Sequence, residues 1–188
     1  MTSTSERIAL VPLKSFASAK RRLRVHLSDE ETAALVKQLA MGVLVACRPL
    51  TTWIVTDDAD IEEFADEIGL RAFRPSRPGL NEGVFEAYRL ASEDFAHVVI
   101  IHADIAAPDG LGSFDYGEGI TLFTDHTGLG SNVLSLPTGI DFAFHYGVDS
   151  ASCHIAESHR LGMEPRVIKD SPWRFDIDLP QDLTRPWN

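Results

Sequence analysis

His97-Val-Val-Ile-Ile101 is the clearest buried strand in the sequence, and an acidic residue, Asp104, lies just beyond its end. An uninterrupted apolar run of this length is typical of a strand covered on both faces, as in a parallel sheet. Toward the N-terminus, strand-like and helical stretches alternate, starting from a strand at Ile8–Pro12. Alternation of this kind predicts an α/β fold with a mostly parallel sheet and helices on both faces.

Signals for the ends of elements extend this pattern along the chain. Ser28, followed three residues later by Glu31, has the form of a capping box and predicts a helix start. Further strands are predicted at Trp53–Thr56, Leu70–Phe73, Gly119–Phe123, Asn132–Leu136 and Phe142–Tyr146, further helices at Ile61–Ile68, Glu82–Glu93 and Ser150–Leu161, and final short elements at Arg166–Lys169 and Phe175–Ile177. Neither a repeat nor a linker interrupts the chain, so residues 1–188 are predicted to form one domain.

The composition, 44% hydrophobic and 24% charged over 188 residues, is that of a globular protein. No apolar stretch has the length of a signal-peptide core or a membrane span, and the two cysteines suit a reducing compartment, so we expect a cytoplasmic protein. A net charge of −11 argues against general binding to nucleic acid or to an anionic membrane. A homodimer is the base-rate expectation for such an enzyme.

Positive charge is concentrated near the N-terminus. Of the 17 basic and 28 acidic residues, residues 1–28 contain six basic residues and one acidic residue. The segment indicates either an anionic ligand held near the N-terminus or a solvated helix face. Lys14, Lys20 and Arg22 could neutralise a triphosphate from this loop, although it lacks the glycines of a P-loop.

Three aspartates are candidates for a metal site. Asp176 and Asp178 are two residues apart, so in an extended segment their carboxylates share one face and repel unless a cation lies between them. Asp104 and the basic loop would both lie outside the carboxyl ends of the strands, where ligands bind in such sheets. The three carboxylates suit Mg²⁺, and the alternatives are a cap for Asp104 and a solvated edge for the pair.

Several segments resemble, in their order and spacing, the CofC family, which comprises the 2-phospholactate/phosphoenolpyruvate guanylyltransferases of coenzyme F-420 biosynthesis. The resemblance extends from about Leu10 to Leu183. Its segments are Val11–Lys14, Ala19–Leu23, Gly79–Ala87, Ala103–Asp104, Gly128–Asn132, Tyr146–Ser150 with His154, and Asp176–Leu183. No single segment is specific, but their order and spacing together are.

This resemblance implies a Rossmann-like nucleotidyltransferase fold of the nucleotide-diphospho-sugar transferase type. It implies a guanylyltransferase that joins GMP from GTP to a small phosphorylated acid and releases pyrophosphate. The implied site residues are Lys14, Lys20 and Asp104 for catalysis, Pro12, Lys14, Lys20, Arg22 and Asn81 for the nucleotide, Ser131, Gly147 and Ser150 for the acceptor, and Asp104, Asp176 and Asp178 for Mg²⁺. The protein would position the groups and neutralise charge while an acceptor phosphate oxygen attacks the α-phosphorus in line.

The chain departs from the family pattern on the acceptor side. His102 replaces the usual proline before Asp104, His126 replaces an arginine, and Asp149 replaces a glycine. We therefore hypothesise that nucleotide binding is kept while the acceptor differs from the family's usual ones. The alternatives are a related transferase with another nucleotide or acceptor, and a nucleotide-binding member without activity. His102 itself is expected to be a buried histidine with satisfied hydrogen bonds.

Overall fold

The computed structural model describes residues 7–17, 20–178 and 180–184, and its centre is a seven-stranded sheet. The strands are β1 (Arg7–Pro12), β2 (Thr51–Val55), β3 (Arg71–Phe73), β4 (His97–Ile101), β5 (Thr121–Thr124), β6 (Ser131–Pro137) and β7 (Arg166–Ile168). They lie in the order β3-β2-β1-β4-β6-β5-β7 across the sheet. The first six were predicted to within two residues at each end, and β7 lies within the short element predicted at Arg166–Lys169.

Four α-helices lie among the described residues: α1 (Asp29–Ala46), α2 (Ala59–Glu67), α3 (Leu80–Ala91) and α4 (Ser150–Arg160). The predicted capping box starts α1, since the Glu31 N–H donates to Ser28 Oγ at 3.1 Å and the Ser28 N–H donates to Glu31 Oε2 at 2.8 Å. Short 3₁₀ helices form at Arg21–Val25, Leu111–Ser113, Pro172–Arg174 and Pro180–Thr184. In the described part of the chain, no helix combines the length and the apolar character needed to cross a membrane.

Within the described sheet, β6 is the one strand that runs against the others. The pairs β1–β2, β1–β4, β2–β3 and β5–β7 are parallel, whereas β6 is antiparallel to both β4 and β5. The sheet is therefore mostly parallel, as predicted. Because β6 is reversed, its first residues lie beside the end of β4, where the His102 N–H donates to the Asn132 carbonyl at 3.0 Å.

A hydrophobic core lies on each face of the sheet. Successive residues of a strand point to opposite faces, so Ala9 and Val11 pack with α1 and α2, whereas Ile8 and Leu10 pack with α3 and α4. All four side chains are fully buried. Helices on both faces confirm the predicted α/β class, and the carboxyl ends of the parallel strands are left open at one edge.

The segment 142–146 is not the strand that the sequence predicts. Its aromatic side chains are buried and the residues between them are exposed, so the alternation that suggested a strand is present. Its N–H groups, however, donate to helix side chains: Ala143 to Glu157 at 2.7 Å, His145 to His154 at 2.9 Å and Tyr146 to Asn81 at 2.7 Å. Side chains thus supply the hydrogen bonds that a neighbouring strand would provide.

Candidate functional site

Three carboxylates meet at the open edge of the sheet. Asp104 follows β4, and Asp176 forms an isolated antiparallel bridge with Ile105, the residue after Asp104. The short element predicted at Phe175–Ile177 therefore pairs through this single bridge. Two further backbone bonds join these segments, from the Ala106 N–H to the Phe175 carbonyl at 2.8 Å and from the Ile177 N–H to the Asp104 carbonyl at 3.2 Å. As a result, single oxygen atoms of Asp104, Asp176 and Asp178 lie within 4.8 Å of one another.

Asn132, at the start of β6, holds the second acidic segment in place. Its buried amide donates to the Trp173 carbonyl at 3.0 Å and reaches Asp176 Oδ1 at 3.5 Å. No sequence signal had marked this residue for a role at the site, because its partners lie more than 40 positions away. The reversed strand thus helps to position the predicted metal ligands.

The donor set fits a hard divalent cation. Carboxylate oxygens are the ligands that Mg²⁺ and Mn²⁺ accept, and Oδ1 of Asp104 is buried with no hydrogen-bond partner among the described residues. Burial, followed by the charges of Asp104 and Asp178, raises the pKa of Asp176 to about 6. The two neighbouring negative charges oppose ionisation of Asp176. A bound cation would reduce this repulsion and favour the ionised carboxylate.

Lys20 places its ammonium within this acidic cluster. Its backbone is left-handed, with φ 53° and ψ 44°, and Nζ donates to Asp104 Oδ2 and to Asp178 Oδ1. Burial alone would lower the pKa of Lys20, but the two carboxylates outweigh burial and raise the pKa above its ordinary value. Burial would raise the pKa of Asp104, and Lys20 and His102 reverse that effect. Lys20 therefore neutralises part of the negative charge of the acidic cluster.

Replacing Asp176 with asparagine is expected to stabilise the metal-free chain at pH 8. The folded-state pKa of about 6 lies above the ordinary 3.8, so ionisation of this carboxyl costs stability above pH 6 and costs nothing below about pH 4. The gain should be about 1–3 kcal/mol at pH 8 and vanish by about pH 4. Thermal unfolding in EDTA across this range measures it.

Asp170→Asn is the matched control, because that side chain is 97% exposed and its ion pair with Arg174 contributes little. It should leave the unfolding temperature nearly unchanged at every pH. A loss of stability in Asp176→Asn at pH 8, or a pH profile parallel to that of the unmodified chain, would contradict the interpretation of Asp176.

A cleft of about 170 Å³ lies beside the three carboxylates. Lys14, Lys20, His102 and Asp104 are among the residues that line it. A smaller hollow of about 30 Å³ shares Pro12 and Lys14 with the cleft and extends to the end of β2 and the start of α3. The structure therefore brings the predicted Pro12, Lys14 and Lys20 to the same opening as the carboxylates.

Two other residues expected at the nucleotide have different surroundings. Arg22 is exposed on the 3₁₀ helix Arg21–Val25 and lines neither of these two openings. The Asn81 amide accepts the Tyr146 N–H at 2.7 Å and donates to the Tyr146 carbonyl at 3.1 Å. Asn81 therefore anchors the segment 142–146 to α3, and its expected contact with the nucleotide stays a prediction.

The residues expected at the acceptor form a buried network. Ser131 and Ser150 are 1% and 3% exposed, and their hydroxyls lie 3.3 Å apart. His154 Nε2 accepts the His145 N–H, so its proton lies on Nδ1, which donates to Ser131 Oγ at 2.9 Å. Burial lowers the pKa of His154 to about 3, which keeps the ring neutral. The two hydroxyls thus support the adjoining loop rather than face solvent, whereas Gly147 is exposed with φ 139°.

His102 and Tyr146 form a feature that the sequence did not reveal. Their rings lie 5.3 Å apart, and both His102 Nε2 and the Tyr146 hydroxyl are buried without a hydrogen-bond partner in the part of the chain that the structure describes. The expectation of a satisfied His102 is therefore wrong. Tyr146 follows the aromatic alternation of a core segment, and nothing in that pattern distinguishes its unpaired hydroxyl. Unpaired buried polar groups cost about 1–3 kcal/mol each, so both atoms are candidates for a hydrogen bond to a bound ligand.

Comparison with known proteins places the chain in a family. Residues 7–185 match the family model described as "Guanylyl transferase CofC like". Over 188 residues the chain is 31% identical to a phosphoenolpyruvate guanylyltransferase of Sphaerobacter thermophilus, covering 94% of this chain and 90% of the relative. It is 25% identical over 191 residues to a 3-phospho-D-glycerate guanylyltransferase of Phenylobacterium zucineum, covering 93% and 86%.

The fold is shared with solved structures as well. A protein from Desulfovibrio desulfuricans G20, assigned as a nucleotide-diphospho-sugar transferase, superposes with a TM-score of 0.73 at 19% identity, covering 95% of this chain and 85% of the other. That similarity establishes the nucleotide-diphospho-sugar transferase fold that the sequence predicted.

Proposed function

The chain belongs to the family of CofC-like guanylyl transferases, and from that membership we propose that it joins GMP from GTP to a small phosphorylated acid, with release of pyrophosphate. The observation that carries the proposal is the convergence of Asp104, Asp176 and Asp178 beside the cleft that Lys14 and Lys20 line. Opposite charges at one opening suit a polyphosphate together with a divalent cation.

The residues around the cleft would act by position and charge. An acceptor phosphate oxygen forms a bond to the α-phosphorus of GTP as the bond to the bridging oxygen breaks, and pyrophosphate leaves with that electron pair. Asp104, Asp176 and Asp178 would hold Mg²⁺, which when bound neutralises charge on the phosphates. Lys14 and Lys20 would neutralise the remaining charge of the triphosphate, and no side chain is required as a general base.

The nucleoside would lie in the part of the cleft that adjoins the smaller hollow between the end of β2 and the start of α3. This hollow is continuous with the cleft through Pro12 and Lys14. Gly83 lies at its wall, where a Cβ would come within 3.4 Å of both Pro75 and Val55. Helix α3 therefore packs closely against Pro75 and β2 at this wall of the hollow.

The acceptor class follows from the two relatives, which are named for phosphoenolpyruvate and for 3-phospho-D-glycerate. Both compounds are phosphorylated three-carbon acids. Asp149 is exposed at the start of α4, and at ~5 Å, with an effective dielectric of ~20, it would repel an acceptor carboxylate by ~3 kcal/mol. We therefore propose that this chain prefers an acceptor whose carboxylate is kept away from Asp149.

A screen of nucleotides against acceptors tests the function. GTP, CTP, ATP and UTP are each incubated with Mg²⁺ and phosphoenolpyruvate, 3-phosphoglycerate or 2-phospholactate, and pyrophosphate release is followed together with the product mass. We expect release with GTP and a phosphorylated acid, and a product in which GMP is joined to that acid. Equal turnover with another nucleotide, or pyrophosphate release without the joined product, would contradict the proposal.

Replacing Tyr146 with phenylalanine is expected to separate stability from activity. We propose that its unpaired hydroxyl contacts a bound substrate, so the transfer rate should fall about tenfold, as for the loss of one hydrogen bond. The ligand-free chain should be as stable as before, or more stable by up to ~1 kcal/mol, because an unsatisfied buried group is removed. Urea unfolding and the pyrophosphate assay measure the two effects.

Tyr116→Phe is the matched control, because the Tyr116 hydroxyl donates to the Leu111 carbonyl at 2.8 Å. That variant should lose stability and keep its transfer rate. If Tyr146→Phe instead behaves like Tyr116→Phe, then the Tyr146 hydroxyl has a structural role only.

A further inference from the structure

The Lys20 ammonium lies between two of the three carboxylates that we assign to the metal. Nζ bonds to Asp104 Oδ2 and Asp178 Oδ1, and the lysine side chain is 11% exposed. Lys14 lines the same cleft, yet it is exposed and has no ion pair with an acidic group among the described residues. Of the two lysines that line the cleft, Lys20 is therefore the one whose ammonium lies within the acidic cluster.

The position of this ammonium is unfavourable for a metal ion bound by the same two carboxylates, because Nζ contacts Asp104 Oδ2 and Asp178 Oδ1. A divalent ion coordinated by Asp104 and Asp178 would sit about 2.0–2.1 Å from each ligand oxygen. The ammonium in its present position would then lie within contact distance of a second, stronger positive charge. Repulsion between the two positive charges makes Lys20 and the metal compete for these carboxylates, even when the metal binds Asp104 through Oδ1.

We propose that Lys20 is an exchangeable cation that makes metal binding depend on the nucleotide. In the ligand-free chain it neutralises Asp104 and Asp178 and keeps metal affinity low. When the metal arrives with the triphosphate, the flexible lysine side chain transfers from the carboxylates to the phosphates. In this exchange the ammonium gives up two carboxylate contacts and gains phosphate contacts, while the metal takes over the neutralisation of the carboxylates. This inference rests on the proposed function, because it takes a polyphosphate as the group that receives Lys20.

Mn²⁺ binding in the absence of nucleotide tests the proposal. The amount of free Mn²⁺ is followed by its electron paramagnetic resonance signal during titration of the unmodified chain, Lys20→Met, Lys20→Arg and Lys14→Met. We expect Lys20→Met to bind Mn²⁺ at least about tenfold more tightly than the unmodified chain, because its competing cation is gone. Lys20→Arg keeps the cation and should bind Mn²⁺ as weakly as the unmodified chain, and Lys14→Met should leave nucleotide-free metal affinity unchanged.

Thermal unfolding gives a second measurement. It compares how much Mn²⁺ raises the unfolding temperature of each chain, so it is informative even if the variant is less stable than the unmodified chain. Lys20→Met should unfold at a lower temperature in EDTA, because its three carboxylates lose their cation, and Mn²⁺ should raise its unfolding temperature more than that of the unmodified chain. Equal Mn²⁺ affinity in Lys20→Met and the unmodified chain would overturn the exchange. A similar gain in Lys14→Met would also overturn it, since the effect would then be one of general charge.

The two proposals can fail independently. The Mn²⁺ titration contains no nucleotide or acceptor, so it reports on the competition alone. The pyrophosphate screen with the unmodified chain reports on the transfer reaction. A tighter Mn²⁺ site in Lys20→Met without any transfer from GTP would retain the exchange and reject the function, and the reverse pair of results would do the opposite.

Discussion

Replacing Asp104 with asparagine is expected to lower the transfer rate by about 10³-fold or more while leaving the fold intact. Asp104 directly follows the central strand β4, and its carboxylate bonds to the Lys20 ammonium and belongs to the proposed metal site. Asparagine has nearly the same shape but no charge, so it would bind a hard cation weakly. The buried Oδ1, which has no partner among the described residues, would lose its proposed role as a ligand.

Asp109→Asn is the matched control for this experiment. Asp109 is an exposed residue of the loop that follows Asp104, and its backbone carbonyl, which the change keeps, accepts the Trp173 indole N–H at 3.0 Å. Pyrophosphate release at saturating GTP should change less than about twofold in this variant, because surface substitutions away from a site have small effects. Retention of activity in Asp104→Asn at more than a tenth of the normal rate would exclude Asp104 as a metal ligand.

Replacing Gly112 with alanine is expected to destabilise the chain by about 2–4 kcal/mol. A Cβ at this position would lie 2.6 Å from Pro49 Cδ and 2.7 Å from the Ala46 carbonyl oxygen. The 3₁₀ helix Leu111–Ser113 is thus pressed against the end of α1, and a backbone oxygen cannot yield as a flexible side chain can. Relief of the clash would require the helix and the loop to separate within the core.

Urea unfolding measures this effect, with Gly119→Ala as the control. No atom lies within 4 Å of a Cβ built at Gly119, so that variant should change the unfolding free energy by less than about 0.5 kcal/mol. Equal midpoints for the two variants would show that the close approach at Gly112 is not rigid.

Elements with local signals could be predicted from the sequence. The capping box at Ser28 and Glu31 depends on residues three apart, and the strand His97–Ile101 depends on a continuous apolar run, so both are found where the sequence places them. The alternation of strands and helices likewise predicted a sheet with helices on both faces. The capping box and the apolar run are each contained in a few consecutive residues, and the alternation follows from the order of such local signals along the chain.

Features that depend on distant partners could not be predicted in this way. The segment 142–146 has the alternation of a strand, but its backbone partners are Asn81, His154 and Glu157 on two helices. The order of strands, with β6 between β4 and β5, is likewise a matter of pairings far apart in sequence. The same limit hid Asn132, whose part in holding Asp176 appears only once both segments are in place.

The reversed direction of β6 has a consequence for how such a protein can diversify. The strand enters the sheet from the catalytic edge, so the turn before it and the loop before α4 both meet there, and the Ala151 N–H donates to the Leu129 carbonyl at 2.9 Å. Most of the residues that we propose to face the polyphosphate, by contrast, come from the first 104 residues. We therefore expect that substitutions between residues 125 and 150 can change the specificity for the second substrate during evolution. The residues proposed to bind the nucleotide can stay the same while this happens.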